Sequence, residues 1–168
     1  YFLYLYHVPT CAFKDMALTL MPHLLEKSLK KNDIKEDIVI LTATSGDTGK
    51  AALEGFKDLD QIKIIVFFPE DGVSNIQKLQ MRTQEGSNTH VVSINGNFDD
   101  AQSAVQNIFN DEEFNKFLLK NNYILSSANS INIGRLLPQI VYYFYSYLNL
   151  VRDKYMKLGD KINFVVPT

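Results

Sequence analysis

Ile38-Val39-Ile40-Leu41-Thr42-Ala43-Thr44-Ser45-Gly46-Asp47-Thr48-Gly49-Lys50 reads as a strand, a tight loop and the opening of a helix. The run 38–41 is apolar without interruption and too short for a helix, the mark of a strand buried on both faces. Behind the loop, a helix from 48 to about 59 turns Ala51, Ala52 and Phe56 to one side, towards the sheet. The same alternation recurs outward in both directions. Strands are expected at 2–6, 62–68, 91–94, 123–125 and 162–166. Helices are expected at 15 to about 31, from a Ser74-x-x-Gln77 capping box to about 86, at 99–109, at 112–120 and at 133–151. Strands alternating with helices predict an α/β fold, a parallel twisted sheet with helices on both faces and right-handed crossovers. Ligands in such sheets lie beyond the carboxyl ends of the strands. That rule draws the loop 45–48, the stretch 126–132 and Thr168 towards one crevice.

The loop itself suits an anion. Its glycines let a ligand approach the backbone, the first N–H groups of a helix attract negative charge, and the Ser45 and Thr48 hydroxyls add donors. Asp47 is a helix N-terminal acid, favoured there by the dipole. A plain βα turn explains the same residues. A P-loop does not, because only Asp47 and Thr48 separate the glycines and Ala51 stands where a hydroxyl is required. No G-x-G-x-x-G is present, so a nicotinamide cofactor has no support.

Upstream lies His7-Val8-Pro9-Thr10-Cys11-Ala12-Phe13-Lys14-Asp15. Pro9 ends the preceding extended segment, Thr10 is placed to cap a helix, and Lys14 falls in its first turns. A lysine between Phe13 and Met16 is a candidate amine nucleophile, and equally a solvated partner of Asp15. Pro22 inside the helix predicts a kink costing about 3 kcal/mol unless packing absorbs it. Downstream, Arg135 follows Ser130 and Asn132 at a helix start. A guanidinium fork beside a hydroxyl and an amide fits a phosphate, and also an ordinary surface arginine with capping neighbours. His7, His23 and His90 fall on separate elements without ligand spacing, so no metal site is expected. Tyr142, Tyr143, Tyr145 and Tyr147 point all round a helix and suggest core packing and an interdomain contact.

The blocks 7–15, 42–50 and 129–139, in this order, resemble the threonine synthase family, pyridoxal-phosphate lyases of the tryptophan synthase β-like fold. The resemblance implies that Lys14 is the catalytic lysine and bonds covalently to pyridoxal 5'-phosphate, with Asp47 near the cofactor's ring hydroxyl. Ser45 and Thr48 would hold the substrate carboxylate, and Ser130, Asn132 and Arg135 the substrate phosphate. It implies the conversion of O-phosphohomoserine and water to L-threonine and phosphate, in the cytoplasm. Residues 1–168 would be one incomplete catalytic region: 15–151 the smaller α/β domain, 1–14 and 152–168 segments leading into the larger, cofactor-binding domain. Such a piece is expected to have little activity alone. A dehydratase or sulfhydrylase of the same fold, or a non-catalytic descendant, is the alternative.

Composition sets outer bounds. The chain has 168 residues, 46% apolar and 21% charged, as in a globular protein. Its net charge of −2 gives no footprint for nucleic acid. The single cysteine allows no intrachain disulfide. No apolar run approaches the roughly 20 residues a bilayer demands.

Overall fold

The computed structural model describes residues 1–166. The expectation for Thr168 lies outside the described residues. Four parallel strands form one sheet: β1 (Asp37–Ala43), β2 (Ile62–Pro69), β3 (Thr89–Ile94) and β4 (Tyr123–Ser127), in the order β3-β2-β1-β4. Seven α-helices accompany them: α1 (Asp15–Lys31), α2 (Asp47–Phe56), α3 (Asn75–Arg82), α4 (Phe98–Asn110), α5 (Glu112–Lys120), α6 (Ile133–Leu136) and α7 (Ile140–Arg152).

Strand periodicity divides the core in two. Ile38, Ile40, Ile62, Ile64, Val66 and Phe68 point to the face covered by α1, α2 and α3, whose Leu18, Met21, Leu53, Phe56 and Met81 fill it. Val39, Leu41, Ala43, Ile65 and Phe67 point to the other face, against Ala101 and Val105 of α4. The α2 and α3 crossovers carry the chain outward from β1 to β3. The α4–α5 crossover returns over the opposite face and sets β4 on the far side of β1. The strand order therefore reverses between β1 and β4, and a crevice opens beyond their carboxyl ends.

Several elements depart from the sequence pattern. Residues 2–6 and 162–166 form no strand and are largely exposed, for neither finds a neighbour to pair with. The helix expected at 133–151 is broken into α6, a 3-10 turn Leu137–Gln139 and α7, because Pro138 withholds an amide from the ladder. The Ser74 cap is one-sided: its hydroxyl accepts from the Gln77 N–H at 3.3 Å, and α3 stops at Arg82, short of residue 86. The four tyrosines of α7 do not pack a core, since α7 buries no residue fully. They hold flanking chain instead, as when Tyr147 accepts from the Gly159 N–H at 2.6 Å and Tyr143 meets Phe164 edge to face. Among the described residues no helix is long and apolar enough to cross a membrane.

Helix α1 runs unbroken through Pro22, and its neighbour shows how. Pro22 has no N–H for the Leu18 carbonyl. Gly55 of α2 comes so close to that oxygen that a Cβ there would overlap it. The Cα hydrogens of a glycine fit against a carbonyl where no side chain does. Replacing Gly55 by Ala gains roughly 0.5–1 kcal/mol of helix propensity, but forces two backbones apart at a cost of about 1–3 kcal/mol or more. Gly55→Ala should therefore lower the urea midpoint; an unchanged or higher midpoint would show that the helices part without cost.

Candidate active site

The loop after β1 is built around Thr44, which is 1% exposed. Its hydroxyl accepts from the Gly46 N–H at 3.0 Å and from the Gly49 N–H at 2.9 Å. Gly46 stands at φ 150°, a conformation that needs glycine, and a Cβ there would also overlap the Gln77 amide of α3. The Thr48 N–H is taken by the Asp47 carboxylate at 2.8 Å. The amides of Gly46, Thr48 and Gly49, expected to face an anion, are thus engaged within the loop. The hydroxyl side chains remain on the crevice, where Ser45 and Thr48 line a cavity of about 250 Å³.

Across that cavity stand Ser127, Asn129, Ser130 and Arg135 from β4 and the chain beyond it. Arg135 is 8% exposed. One of its nitrogens donates to the Ala128 carbonyl at 3.1 Å, and its Nε is buried with no partner. Burial pushes its pKa down from the usual arginine value, while the nearby Asp47 charge pulls it back up. Arginine starts so far above neutrality that it remains a cation. A buried guanidinium with an unpaired N–H costs about 1–3 kcal/mol, a penalty that an incoming anion would relieve.

Asp47, at the N-terminus of α2, also receives Lys14 at 2.6 Å. Lys14 is largely buried, its ammonium 4.0 Å from the Phe13 ring centroid. It lies just before α1, in the capping position, rather than in the first turns. Thr10 does not cap that helix. Its N–H and hydroxyl donate to the buried Asp15 carboxylate at 2.7 and 2.6 Å, closing the loop that carries Lys14.

The structure thus brings Ser45, Thr48, Ser130 and Arg135 to one cavity and pairs Lys14 with Asp47 beside it. Asn132 is turned to other work. Its Oδ1 accepts from the Gly134 N–H at 2.9 Å and its Nδ2 donates to the Ser127 carbonyl at 2.9 Å, so it caps α6 and aims Arg135.

Sequence reasoning passed over Asn129. Its amide donates to the Ala43 carbonyl at 2.8 Å and accepts from the Ala43 N–H at 3.1 Å, continuing the β1–β4 ladder where β4 has ended. Nothing but its place after a strand signalled this. Phe98 and Gln102 of α4 also line the cavity, and only the crossover topology reveals them.

The polar set fits pyridoxal phosphate at its reactive end: a shielded primary amine for an aldehyde, with Asp47 against that amine. The sequence profile of the family described as "Pyridoxal-phosphate dependent enzyme" matches residues 1–165. The chain is 43% identical to human "Threonine synthase-like 1" over 100% of this chain and 23% of that protein. It is 46% identical to the threonine synthase of Pseudomonas aeruginosa over 87% of this chain and 30% of the other. The structure of pyridoxal-phosphate-bound threonine synthase from Brucella melitensis superposes with a TM-score of 0.77 at 43% identity, covering 95% of this chain and 32% of that one. The chain therefore spans between about a quarter and a third of the length of these relatives.

Removing the Asn129 amide would leave both Ala43 groups unpaired. Asn129→Ala should destabilise the protein by about 1–3 kcal/mol, read as a fall in the denaturant midpoint. A neutral result would mean that water replaces the amide.

Proposed function

The chain belongs to the pyridoxal-phosphate-dependent enzyme family, and from that premise we propose that it is the lysine- and substrate-bearing part of a threonine synthase, a lyase turning O-phosphohomoserine and water into L-threonine and phosphate. The buried Arg135 guanidinium, with an unpaired Nε on the cavity wall across from the Ser45–Thr48 loop, carries this reading. It supplies a charge for a phosphorylated substrate, which a dehydratase or a sulfhydrylase acting on an uncharged leaving group would not require.

Pyridoxal phosphate, when bound, supplies a conjugated ring that spreads carbanion charge. Lys14 would hold the cofactor through Nζ, and once the substrate's own amine displaces it, the freed lysine amine would take the proton from the substrate Cα and move protons in the later steps. Asp47 fixes that amine by the 2.6 Å ion pair and would be the residue to meet the cofactor's ring hydroxyl. Ser45 and Thr48 hold the substrate carboxylate. Ser130 and Arg135 hold the phosphate, with Asn132 aiming the helix start beneath them. Holding the phosphate puts the bond from the γ-carbon to the departing oxygen in a fixed place, and water is added at the β-carbon.

Residues 15–151 constitute the smaller α/β domain in this proposal, with 1–14 and 152–168 leading towards a larger one. The exposure of Tyr1, Phe2, Leu158 and Val165 supports that division. A cytoplasmic setting accords with the lone, free Cys11.

Pyridoxal phosphate followed by borohydride should leave a pyridoxyl adduct on Lys14 of the intact gene product, located by mass spectrometry after digestion. An adduct confined to other lysines would remove the catalytic assignment. Arg135→Ala should cost about 2–5 kcal/mol of interaction with the phosphate, at least about thirtyfold in kcat/KM for O-phosphohomoserine. Turnover of an unphosphorylated amino acid should change far less. Equal losses on both substrates would refute the phosphate assignment.

A further inference from the structure

Helix α1 begins at Asp15 with no side-chain cap from Lys14. The first amides of a helix lack partners within it. Here a distant residue intervenes. The Tyr142 hydroxyl of α7 donates to the Phe13 carbonyl at 2.6 Å, and its own oxygen lies towards the Met16 N–H. Tyr142 thereby fastens the residue before Lys14 and faces the turn after it. The Thr10–Asp15 hydrogen bonds close the same loop from within, but they are local and would travel with it. Tyr142 ties it to another element.

That element also carries Arg135. The Gln139 side chain donates to the Arg135 carbonyl at 2.7 Å, and buried Pro138 stiffens the 3-10 turn between them. Helix α7 starts at once at Ile140, and Tyr142 lies in its first turn. One short, braced stretch of chain therefore runs from the buried guanidinium to the hydrogen bond just before Lys14.

We propose that Tyr142 is the positioning residue of Lys14, and that the stretch 135–142 sets the spacing between the reactive amine and the anion-reading guanidinium, so that substrates are selected by length as well as charge. This rests on the roles given above to Lys14 and Arg135. A substrate held by its phosphate at Arg135 presents its Cα at the amine only if the chain between them has the right number of carbons. O-phosphoserine, one methylene shorter than O-phosphohomoserine, is the natural comparison.

Tyr142→Phe removes one oxygen and keeps the ring. In the cofactor-free intact gene product, amide exchange over residues 13–17 should quicken about tenfold, with β1 and β2 unchanged. With pyridoxal phosphate and borohydride, labelling of Lys14 relative to exposed Lys154 should fall about tenfold. kcat should fall about ten- to a hundredfold, KM for O-phosphohomoserine should move less than about threefold, and discrimination against O-phosphoserine should narrow. A variant that merely melts earlier, with exchange, labelling and kcat per folded molecule unchanged, would overturn the proposal. An unsubstituted protein that gives no Lys14 adduct would overturn both this proposal and the catalytic reading. A normal adduct there, matched by Tyr142→Phe, would overturn this one alone.

Discussion

Two hydrogen bonds between the Asn129 amide and the Ala43 peptide close the seam between β1 and β4 at the end of the sheet. Strands β1 and β4 pair backbone to backbone only as far as Leu41 and Ser127, and beyond that the chain leaves in two directions. One end turns into the loop around Thr44, the other into the turn that leads to Arg135. Without a bridge the crevice would open into the sheet and expose a peptide that burial cannot leave unpaired. A side-chain amide, with one donor and one acceptor at peptide-like spacing, extends the ladder by a residue and still lets the loops part. The cavity owes its floor to that substitution of side chain for backbone.

Charge in the site follows from the same geometry. Asp47 sits between two cations, Lys14 in direct contact and Arg135 close enough to feel its field. The lone carboxylate offsets only one of them. The residual positive charge lies in a place that water reaches poorly, where Coulomb terms are less attenuated. Neither cation is neutralised in full, and the cavity wall keeps a net positive character.

Much of this was legible in the residues, for identifiable reasons. Runs such as 38–41 and 62–68 are buried on both faces, so their composition alone betrays them, and helices α1, α4 and α5 begin and end within a residue of their expected bounds. The segments 2–6 and 162–166 have equally strand-like composition but no strand. A strand is a relation between two pieces of chain, and propensity describes only one. The loop glycines were read correctly as permissive, whereas the taking of their amides by Thr44 depends on a side-chain rotamer that no pattern encodes. Asn132 belonged to the right turn but faces the backbone beneath it rather than the cavity. Asn129 and Tyr142 act across 86 and 129 residues of sequence, distances at which spacing carries no information.

The close passage of Gly55 over the Leu18 carbonyl bears on how the molecule can move. Helices α1 and α2 present Lys14 and Asp47 at their leading ends, and at the Gly55–Leu18 crossing they meet backbone against backbone, with Leu18, Met21, Leu53 and Phe56 packed around it. Such a junction resists sliding in the way that interlocked teeth do, since any shift along either axis drives a carbonyl or a Cβ into the neighbour. The pair therefore behaves as one rigid jaw. The turn after β4 is fastened to the same jaw, through Gly134 beside Met21 of α1 and Tyr142 on the Phe13 carbonyl. A guest would thus meet Lys14 and Asp47 already set against each other, and the turn that bears Arg135 held to the same body.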